Sequence, residues 1–439
     1  MVFLNTPEWG IKRVPDKHKR LGSFDYFILW SSLGVGLLVF SAGSLLSQAS
    51  FIEATLAIIV GSGVGSILLA LAGKIGSDQG IPSVITMRPA FGIRGSYVPA
   101  ILNVLQLIGW TTFEIMIMAT AAEMLGGSVL PYYFWASVFG VLVAILGIAG
   151  PLHVVRKWIG KFAVWVAYGT SAIIIINLIN SVDLGTLVSS PGEGMSFFSA
   201  LDLVIAMPVS WMPLVADYNR FAKKSKNALW GTFVGFTMTN ILFYFGGVLI
   251  GTSDVVAIVA AIQAMFFGFL MLLLIVDEAD NAFADVYSAS VSTQDIFSKV
   301  GQKPLVVGFT AISAILATVV SIQEYEVFLF LIGAIFVPLF GVVLTDYYIV
   351  RRQKYTDQML YTNQNRLGIG IPAIIAWTFG ILINYILSPL SPIYMPHLLS
   401  IGATIPSLAA ASLIYAVITR MSFRRERRRK TSLETSSGE

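Results

Sequence analysis

Trp110 and Glu114 lie four residues apart in a run, residues 97–122, that is otherwise apolar or uncharged and long enough to cross a bilayer. Residues four apart share one face of a helix, as does Gln106 one turn earlier, so an aromatic plane and a carboxylate face the same way. This pair predicts a receptor for a flat, nitrogen-bearing ring. Because a carboxylate at the centre of a membrane helix costs about 2.5–3.5 kcal/mol on insertion scales, the acid predicts a functional site with a partner.

The composition is that of an integral membrane protein, since 56% of the 439 residues are hydrophobic, 12% are charged and the mean hydropathy is +0.79. The absence of cysteine excludes a disulfide framework and a thiolate metal site, and the histidines, His18, His153 and His397, are too scattered to suggest a ligand set. The net charge of +4 comes from basic residues in short loops and a tail, which predicts topology signals and no nucleic-acid partner. The polar, basic N-terminus predicts no cleaved signal peptide.

Runs of about 20 apolar residues predict membrane-spanning helices, because an α-helix rises about 1.5 Å per residue through a hydrocarbon core of about 30 Å. Twelve such runs occur, and we number them span 1 to span 12. They cover residues 25–48, 51–75, 97–123, 130–150, 158–181, 197–219, 228–250, 254–281, 305–322, 327–350, 369–388 and 398–419.

The basic residues distinguish the two sides of the membrane. With the N-terminus inside, all 28 lysines and arginines fall in the ends and loops of one face, whereas the opposite loops carry acids or no charge. By the positive-inside rule, both termini of this multi-pass protein are predicted to lie in the cytoplasm, and the protein in the cell membrane. Residues 1–24 are predicted to form a cytoplasmic arm, and residues 420–439 a basic, disordered tail.

Two spans carry residues that interrupt helices. Span 1 contains Gly34 and Gly36 at mid-depth, and span 6 contains Pro208 and Pro213. Glycines alone could serve close packing, but two prolines in one span are harder to explain in that way. Interrupted helices at corresponding positions of two halves are the best sequence indication of an inverted-repeat transporter with its site at the midplane. The predicted units are a first five-helix repeat over 25–181, a second over 197–350 and two peripheral helices over 369–419.

Acidic residues cluster near the predicted end of span 8, where Asp277, Glu278, Asp280 and Asp285 fall within nine residues. Three interpretations are open at this point: the acids bind a cation, relay protons, or mark the exit of the helix into the cytosol. No lysine or arginine follows before Lys299, and a desolvated acid cluster without basic partners requires a metal ion or bound protons. Na⁺ would suit such oxygen ligands.

Four segments spread from span 1 to span 10 carry a resemblance to a known family. They are PEWGIKRVPDKHKRLGSFDYFILWSSLGVGLLVFSAG, RPAFGIRGSYVPAILNVLQLIGWTTFEIMIMA, MPVSWMPLVADYNRFAK and GAIFVPLFGVVLTDYYIVRR. These segments resemble the nucleobase:cation symporter-1 family, most closely its hydroxymethylpyrimidine permease branch, which is implicated in uptake of a thiamine precursor. The resemblance implies an all-α membrane protein of twelve transmembrane helices, with a leucine-transporter-like 5+5 inverted repeat plus two peripheral helices, that works by alternating access.

The resemblance also implies roles for individual residues. In relatives, a tryptophan on span 3 stacks on the substrate ring, and Trp110 matches it; Glu114 stands where relatives often carry a glutamine that contacts the ring edge. The other substrate-binding candidates are Gln106, Met207, Ser210, Trp211, Asp280 and Asn281. The residues expected at the cation site, a possible Na⁺ site, are Gly36, Phe40, Leu274, Asp277 and Glu278.

Together these features predict a secondary active transporter that imports a planar pyrimidine, hydroxymethylpyrimidine, coupled to Na⁺ or H⁺. Neither a cofactor nor an obligate protein partner is predicted, and the partners are the substrate and the lipid bilayer. The alternatives are a permease for cytosine, another nucleobase or a hydantoin, and a passive channel. A membrane enzyme is not favoured, because no histidine lies near the span 8 acids and no nucleophile motif occurs.

Overall fold

Helices make up nearly all of the chain in the computed structural model, which describes residues 9–127, 129–149, 164–252, 255–363, 367–388, 391–392 and 402–436. One isolated bridge joins Leu21 of the N-terminal arm to Ala222, just after span 6. The first residues of the predicted arm, the beginnings of spans 5 and 12, and both His153 and His397 lie outside the described residues.

The observed helices follow the predicted spans closely except at span 8. Short helices also occur at Ser83–Phe91, Leu184–Ser189, Val255–Gln263 and Asp357–Tyr361. The spans are Ser23–Ser32 with Leu37–Leu45 (span 1), Phe51–Gln79 (2), Tyr97–Leu125 (3), Tyr132–Ala149 (4), Val164–Ser181 (5), Phe197–Ser210 with Met212–Asn219 (6), Ser225–Ile250 (7), Phe269–Ile296 (8), Gln302–Leu316 (9), Tyr325–Leu344 continued by the π-helical turn Thr345–Val350 (10), Ile371–Leu387 (11) and Thr404–Ser436 (12).

The number of spans agrees with the predicted twelve. Within the described ranges, seven helices are long and apolar enough to cross a membrane, and the bent pair of span 1 makes an eighth. Three shorter apolar helices, in spans 5, 9 and 11, and the acid-bearing helix of span 8 complete the set. Length and hydropathy undercount the spans for two reasons: the apolar helices described in spans 5, 9 and 11 are shorter than 18 residues, and the acids of span 8 place it outside the usual composition of a membrane helix.

Span 1 is broken at mid-depth, as its glycines predict. Its first half, Ser23–Ser32, is bent by 67° relative to its second half, Leu37–Gln48. A side chain at Gly36 would place its Cβ 2.9 Å from Glu278 Oε2 and 3.2 Å from Asn281 Nδ2, so glycine lets span 8 approach the break. Span 6 is interrupted only at Trp211, which keeps helical backbone angles of φ −84° and ψ −12°.

Span 8 differs from the prediction of one helix over 254–281 that ends among the acids. A short helix, Val255–Gln263, and a turn precede Gly268, whose φ of +79° starts the long helix Phe269–Ile296. The acids therefore occupy the middle of span 8, and their interpretation as a helix exit is wrong. Hydropathy treats each carboxylate as isolated in lipid, whereas these side chains are buried against the break of span 1 and against span 3.

The C-terminal segment also differs from its prediction. The helix of span 12 continues to Ser436, through residues 420–436 where a disordered tail was expected. Arginine, lysine and glutamate are good helix formers, so a basic segment that directly follows a membrane helix can extend it.

The packing order places the broken helices around one centre. Span 8 packs most extensively on span 3, spans 1 and 2 both pack on span 7, and span 6 packs on span 2. Spans 11 and 12 pack on each other and on span 10, at the periphery. This arrangement brings the break of span 1, the middle of span 3 and the acids of span 8 together.

Candidate functional site

Side chains of span 8 bind the backbone groups that the break in span 1 leaves without helical partners. Asn281 Nδ2 donates a hydrogen bond to the Val35 carbonyl at 2.7 Å, and the Leu37 N–H donates to Glu278 Oε2 at 2.8 Å. Leu37 begins the second half of span 1, so Glu278 also faces the positive end of a helix dipole. Glu278 and Asn281 thus hold the break open against span 8.

Two further acids lie beside the end of the first half of span 1. The Ser32 hydroxyl is 3.4 Å from Asp277 Oδ1 and 3.5 Å from Asp280 Oδ2, and the second oxygen atoms of both carboxyl groups are buried without a hydrogen-bond partner among the described residues. Leu274, one turn earlier, is fully buried. No group of three or more histidine, cysteine, aspartate or glutamate side chains in the described ranges has the arrangement of a metal site.

The predicted cation-site residues do not all meet. The structure brings Gly36, Asp277 and Glu278 to the break, whereas the Phe40 ring packs on Phe243 of span 7 at 4.7 Å between ring centres. The Phe40 carbonyl oxygen lies against Gly247 of the same span. The Phe40 carbonyl therefore packs on span 7, whereas the carboxylates at the break come from span 8.

Glu278→Ala is expected to lower the melting temperature, whereas Glu278→Gln is expected to leave it near that of the wild type. Alanine leaves the buried Leu37 N–H without an acceptor, which costs about 1–3 kcal/mol, but the glutamine amide oxygen still accepts that hydrogen bond. Thermal unfolding of the purified variants measures the difference. Equal melting temperatures for the two variants would mean that the contact does not stabilise the break.

Trp110 is buried in an aromatic cluster between spans 3 and 10. Its ring meets Tyr325 and Phe328 edge-to-face, with ring centres 5.9 and 5.4 Å apart, and Phe113 contacts the same two rings. Edge-to-face contacts fix the orientation of an indole plane, so the cluster defines where a flat ring would stack.

Glu114 meets another carboxyl group. It is 2% exposed and lies within hydrogen-bonding distance of Asp285, which projects from span 8 and is equally buried. The partner of this intramembrane carboxylate is therefore a second acid. The two acids together require a bound proton or a bound ligand.

The remaining candidates connect span 3 to the interruption of span 6. Gln106 Nε2 donates to the Ser210 carbonyl at 3.4 Å and to Asn103 Oδ1 at 2.8 Å. The Ser210 hydroxyl donates to the Met207 carbonyl at 2.7 Å. Trp211 lies edge-to-face against Trp30 of span 1, with ring centres 6.1 Å apart. Gln106 and Ser210 are thus brought together, and Trp211 lies on the span 1 side.

Sequence reasoning missed Asp285, Tyr325 and Phe328 as members of the site. Asp285 was visible as one of four clustered acids, but the predicted end of span 8 placed it outside the membrane. Tyr325 lies two residues before the predicted start of span 10, and nothing in the local pattern distinguishes it or Phe328 from interface or packing aromatics.

Comparison with known proteins connects this geometry to transporters. The model of a family described as permeases for cytosine/purines, uracil, thiamine and allantoin matches residues 13–405. The hydantoin permease of Microbacterium maritypicum is 24% identical over an alignment 381 positions long that covers 78% of this chain and 76% of that protein. The cytosine permease of Escherichia coli strain K12 is 25% identical over an alignment 381 positions long that covers 82% of this chain and 85% of that protein.

A solved structure has the same fold. Mhp1, a nucleobase-cation-symport-1 family transporter in a closed conformation with bromovinylhydantoin bound, gives a TM-score of 0.77 at 19% identity, over 95% of this chain and 96% of that one. The predicted fold class, the leucine-transporter-like helical membrane fold, is thereby confirmed. The protein is a transporter and not an enzyme. The chain belongs to the nucleobase:cation symporter-1 family of permeases.

Proposed function

We propose that this transporter imports a planar aminopyrimidine, hydroxymethylpyrimidine, across the cell membrane by alternating access coupled to Na⁺ or H⁺, with both termini in the cytoplasm. The observation that carries the proposal is the burial of Trp110 and Glu114 on one face of span 3, next to the acids of span 8. An aromatic plane and a carboxyl group are the two elements that an amine-bearing flat ring requires.

The substrate ring stacks on Trp110, a contact worth about 1–3 kcal/mol if base stacking on aromatics is a guide. Glu114 accepts a hydrogen bond from the exocyclic amine or shares a proton with a ring nitrogen. Permeases for thiamine are included in the family description, and the pyrimidine ring of thiamine carries such an amine.

Cation coupling is supported by the contacts at the break. Glu278 and Asn281 tie span 8 to the backbone of span 1, and Asp277 lies beside Ser32. A cation at these oxygen atoms stabilises the same arrangement of spans 1 and 8 that positions the substrate site. Ion and substrate therefore raise each other's affinity, as linkage requires.

A permease for cytosine or a hydantoin is the alternative within the family, since relatives carry those names. Cytosine shares the exocyclic amine beside a ring nitrogen, whereas hydantoin has no exocyclic amine that could donate a hydrogen bond to Glu114. A passive channel is disfavoured because the polar side chains cluster at mid-depth on spans 3, 6 and 8. Accumulation of substrate against its gradient in ion-loaded vesicles would exclude a channel.

Ligand binding to the purified protein tests the substrate. Tryptophan quenching or a thermal shift is measured with hydroxymethylpyrimidine, cytosine, uracil and hydantoin in parallel. A response to hydroxymethylpyrimidine at the lowest concentration is expected. Binding of cytosine or hydantoin with no response to hydroxymethylpyrimidine would overturn the substrate proposal and leave the family unchanged.

Glu114→Gln is expected to weaken binding of an aminopyrimidine by roughly tenfold more than binding of the matching oxo-pyrimidine. A charge-assisted hydrogen bond is worth about 1 kcal/mol more than a neutral one, and only the amine-bearing ring makes it. Titration of both ligands against the variant and the wild type gives the ratio. Equal losses for the two ligands would remove the proposed role of Glu114.

A further inference from the structure

Two carboxyl groups from different helices meet at the centre of the molecule, and we call Glu114 and Asp285 the carboxyl pair. Their side chains are within hydrogen-bonding distance, and each residue is 2% exposed. Glu114 comes from span 3 and Asp285 from span 8, the two helices with the most extensive mutual packing. The contact between the two carboxyl groups therefore lies in the packed interface between spans 3 and 8.

The titratable groups that interact electrostatically with the carboxyl pair are acidic or phenolic. Glu278 lies two turns before Asp285 on span 8 and interacts electrostatically with both Glu114 and Asp285. Tyr325 of span 10 is near enough to Glu114 to interact with it electrostatically, and Tyr218 of span 6 is near enough to Asp285. Spans 4 and 5 contain no charged residue within Tyr132–Ala149 and Val164–Ser181. None of these groups is positively charged.

The basic residues of the neighbouring helix ends are bound elsewhere. The Arg88 guanidinium pairs with Asp295 at 2.7 Å. Arg220 donates to the Tyr287 hydroxyl at 2.8 Å and to the Gly10 carbonyl at 2.6 Å. Lys303 lies in the first turn of span 9 and has an interaction of its own. Among the described residues, we therefore find no basic side chain that would balance two negative charges on the carboxyl pair.

The oxygen atoms of the pair require a proton. With both groups ionised, Glu114 Oε2 and Asp285 Oδ2 are buried oxygens without a donor among the described residues. Two carboxylates in contact and out of water repel each other, and one proton between them supplies the missing hydrogen bond. We infer that Glu114 and Asp285 share one proton in the empty carrier and form the proton-binding site that couples transport.

The site then exchanges one proton in each cycle, an inference that rests on the proposed function. The amine and ring nitrogen of the substrate draw Glu114 away from Asp285, which keeps the shared proton. A second proton from external water binds the ring nitrogen, and the Glu114 carboxylate accepts hydrogen bonds from that N–H and from the amine. The charge of the carboxyl pair and substrate together changes from −1 to zero. Substrate and second proton leave together on the cytoplasmic side, and the pair closes again on one proton.

Calorimetric titration of the purified protein with 4-amino-5-hydroxymethyl-2-methylpyrimidine, repeated in sodium-free buffers of different ionisation enthalpy, counts the protons that are taken up on binding. Wild type is expected to take up about one proton per substrate, and the double variant Glu114→Gln/Asp285→Asn none. Asp202→Asn is the control, because Asp202 is a partly buried acid that caps span 12 through the Ala403 and Thr404 N–H groups. This variant is expected to keep the uptake. Binding without proton uptake by the wild type, or uptake retained by the double variant, would overturn the inference.

Infrared spectra of the substrate-free proteins provide a readout that does not depend on the substrate. The wild-type spectrum minus that of the double variant is expected to contain the carbonyl band of a protonated carboxyl group, and Asp202→Asn is expected to keep it. Absence of the band, or its replacement by carboxylate bands on addition of Na⁺, would overturn the inference. If the band is present but no aminopyrimidine binds, the proposed substrate is wrong and the proton site stands.

Discussion

Trp110→Ala is expected to weaken binding of a pyrimidine substrate by about 5- to 150-fold, because the variant loses a base-stacking contact worth about 1–3 kcal/mol. The Tyr325 and Phe328 rings lie at 74° to the Trp110 ring, so neither offers a replacement plane in the same orientation. Titration of the purified variant with hydroxymethylpyrimidine measures the loss.

Two further variants separate recognition from folding. Trp110→Phe keeps a flat face at the same position and is expected to lose much less affinity than alanine. Trp377→Ala removes a buried tryptophan of span 11 that donates to the Ile335 carbonyl, so it carries a similar packing cost without a substrate contact. If Trp377→Ala loses as much affinity as Trp110→Ala, the effect is a general loss of stability and the stacking role is wrong.

The parts of the site that sequence predicts are those set by helical periodicity within one span. Gln106, Trp110 and Glu114 recur every four residues, and all three are buried in the structure as one stripe of span 3. The break of span 1 is likewise local, because Gly34 and Gly36 permit an approach that other residues do not. Local spacing is therefore sufficient for the face of a helix and for the place where a helix bends.

The parts that sequence does not predict depend on pairing between spans. Hydropathy cannot distinguish an acid that leaves the membrane from one that is buried against a partner, so it ends span 8 at residue 281 and leaves Asp285 beyond the predicted span. The same limit applies to Arg88, which reads as a topology signal in sequence but is 5% exposed and bound to Asp295. In both cases the free energy of burial depends on a residue more than 150 positions away.

Arg88 and Asp295 form the buried ion pair for which we expect the largest loss of stability. Arg88 Nη2 lies 2.7 Å from Asp295 Oδ1, Arg88 also donates to the Leu360 carbonyl at 2.9 Å, and the Ser96 hydroxyl donates to Asp295 at 3.1 Å. These contacts join the short helix Ser83–Phe91 and the start of span 3 to the end of span 8. Removal of one partner leaves a buried charge without compensation, which costs about 3–5 kcal/mol.

Arg88→Met is therefore expected to lower the free energy of unfolding by about 3–5 kcal/mol, and the double variant Arg88→Met/Asp295→Asn to recover most of that loss. The second substitution removes the stranded charge, while the asparagine oxygen still accepts from Ser96. A double-mutant cycle on the melting temperatures of the purified proteins gives the coupling between the two sites. If the double variant is no more stable than Arg88→Met, the cost comes from lost arginine packing and not from an unpaired carboxylate, because the methionine is common to both proteins.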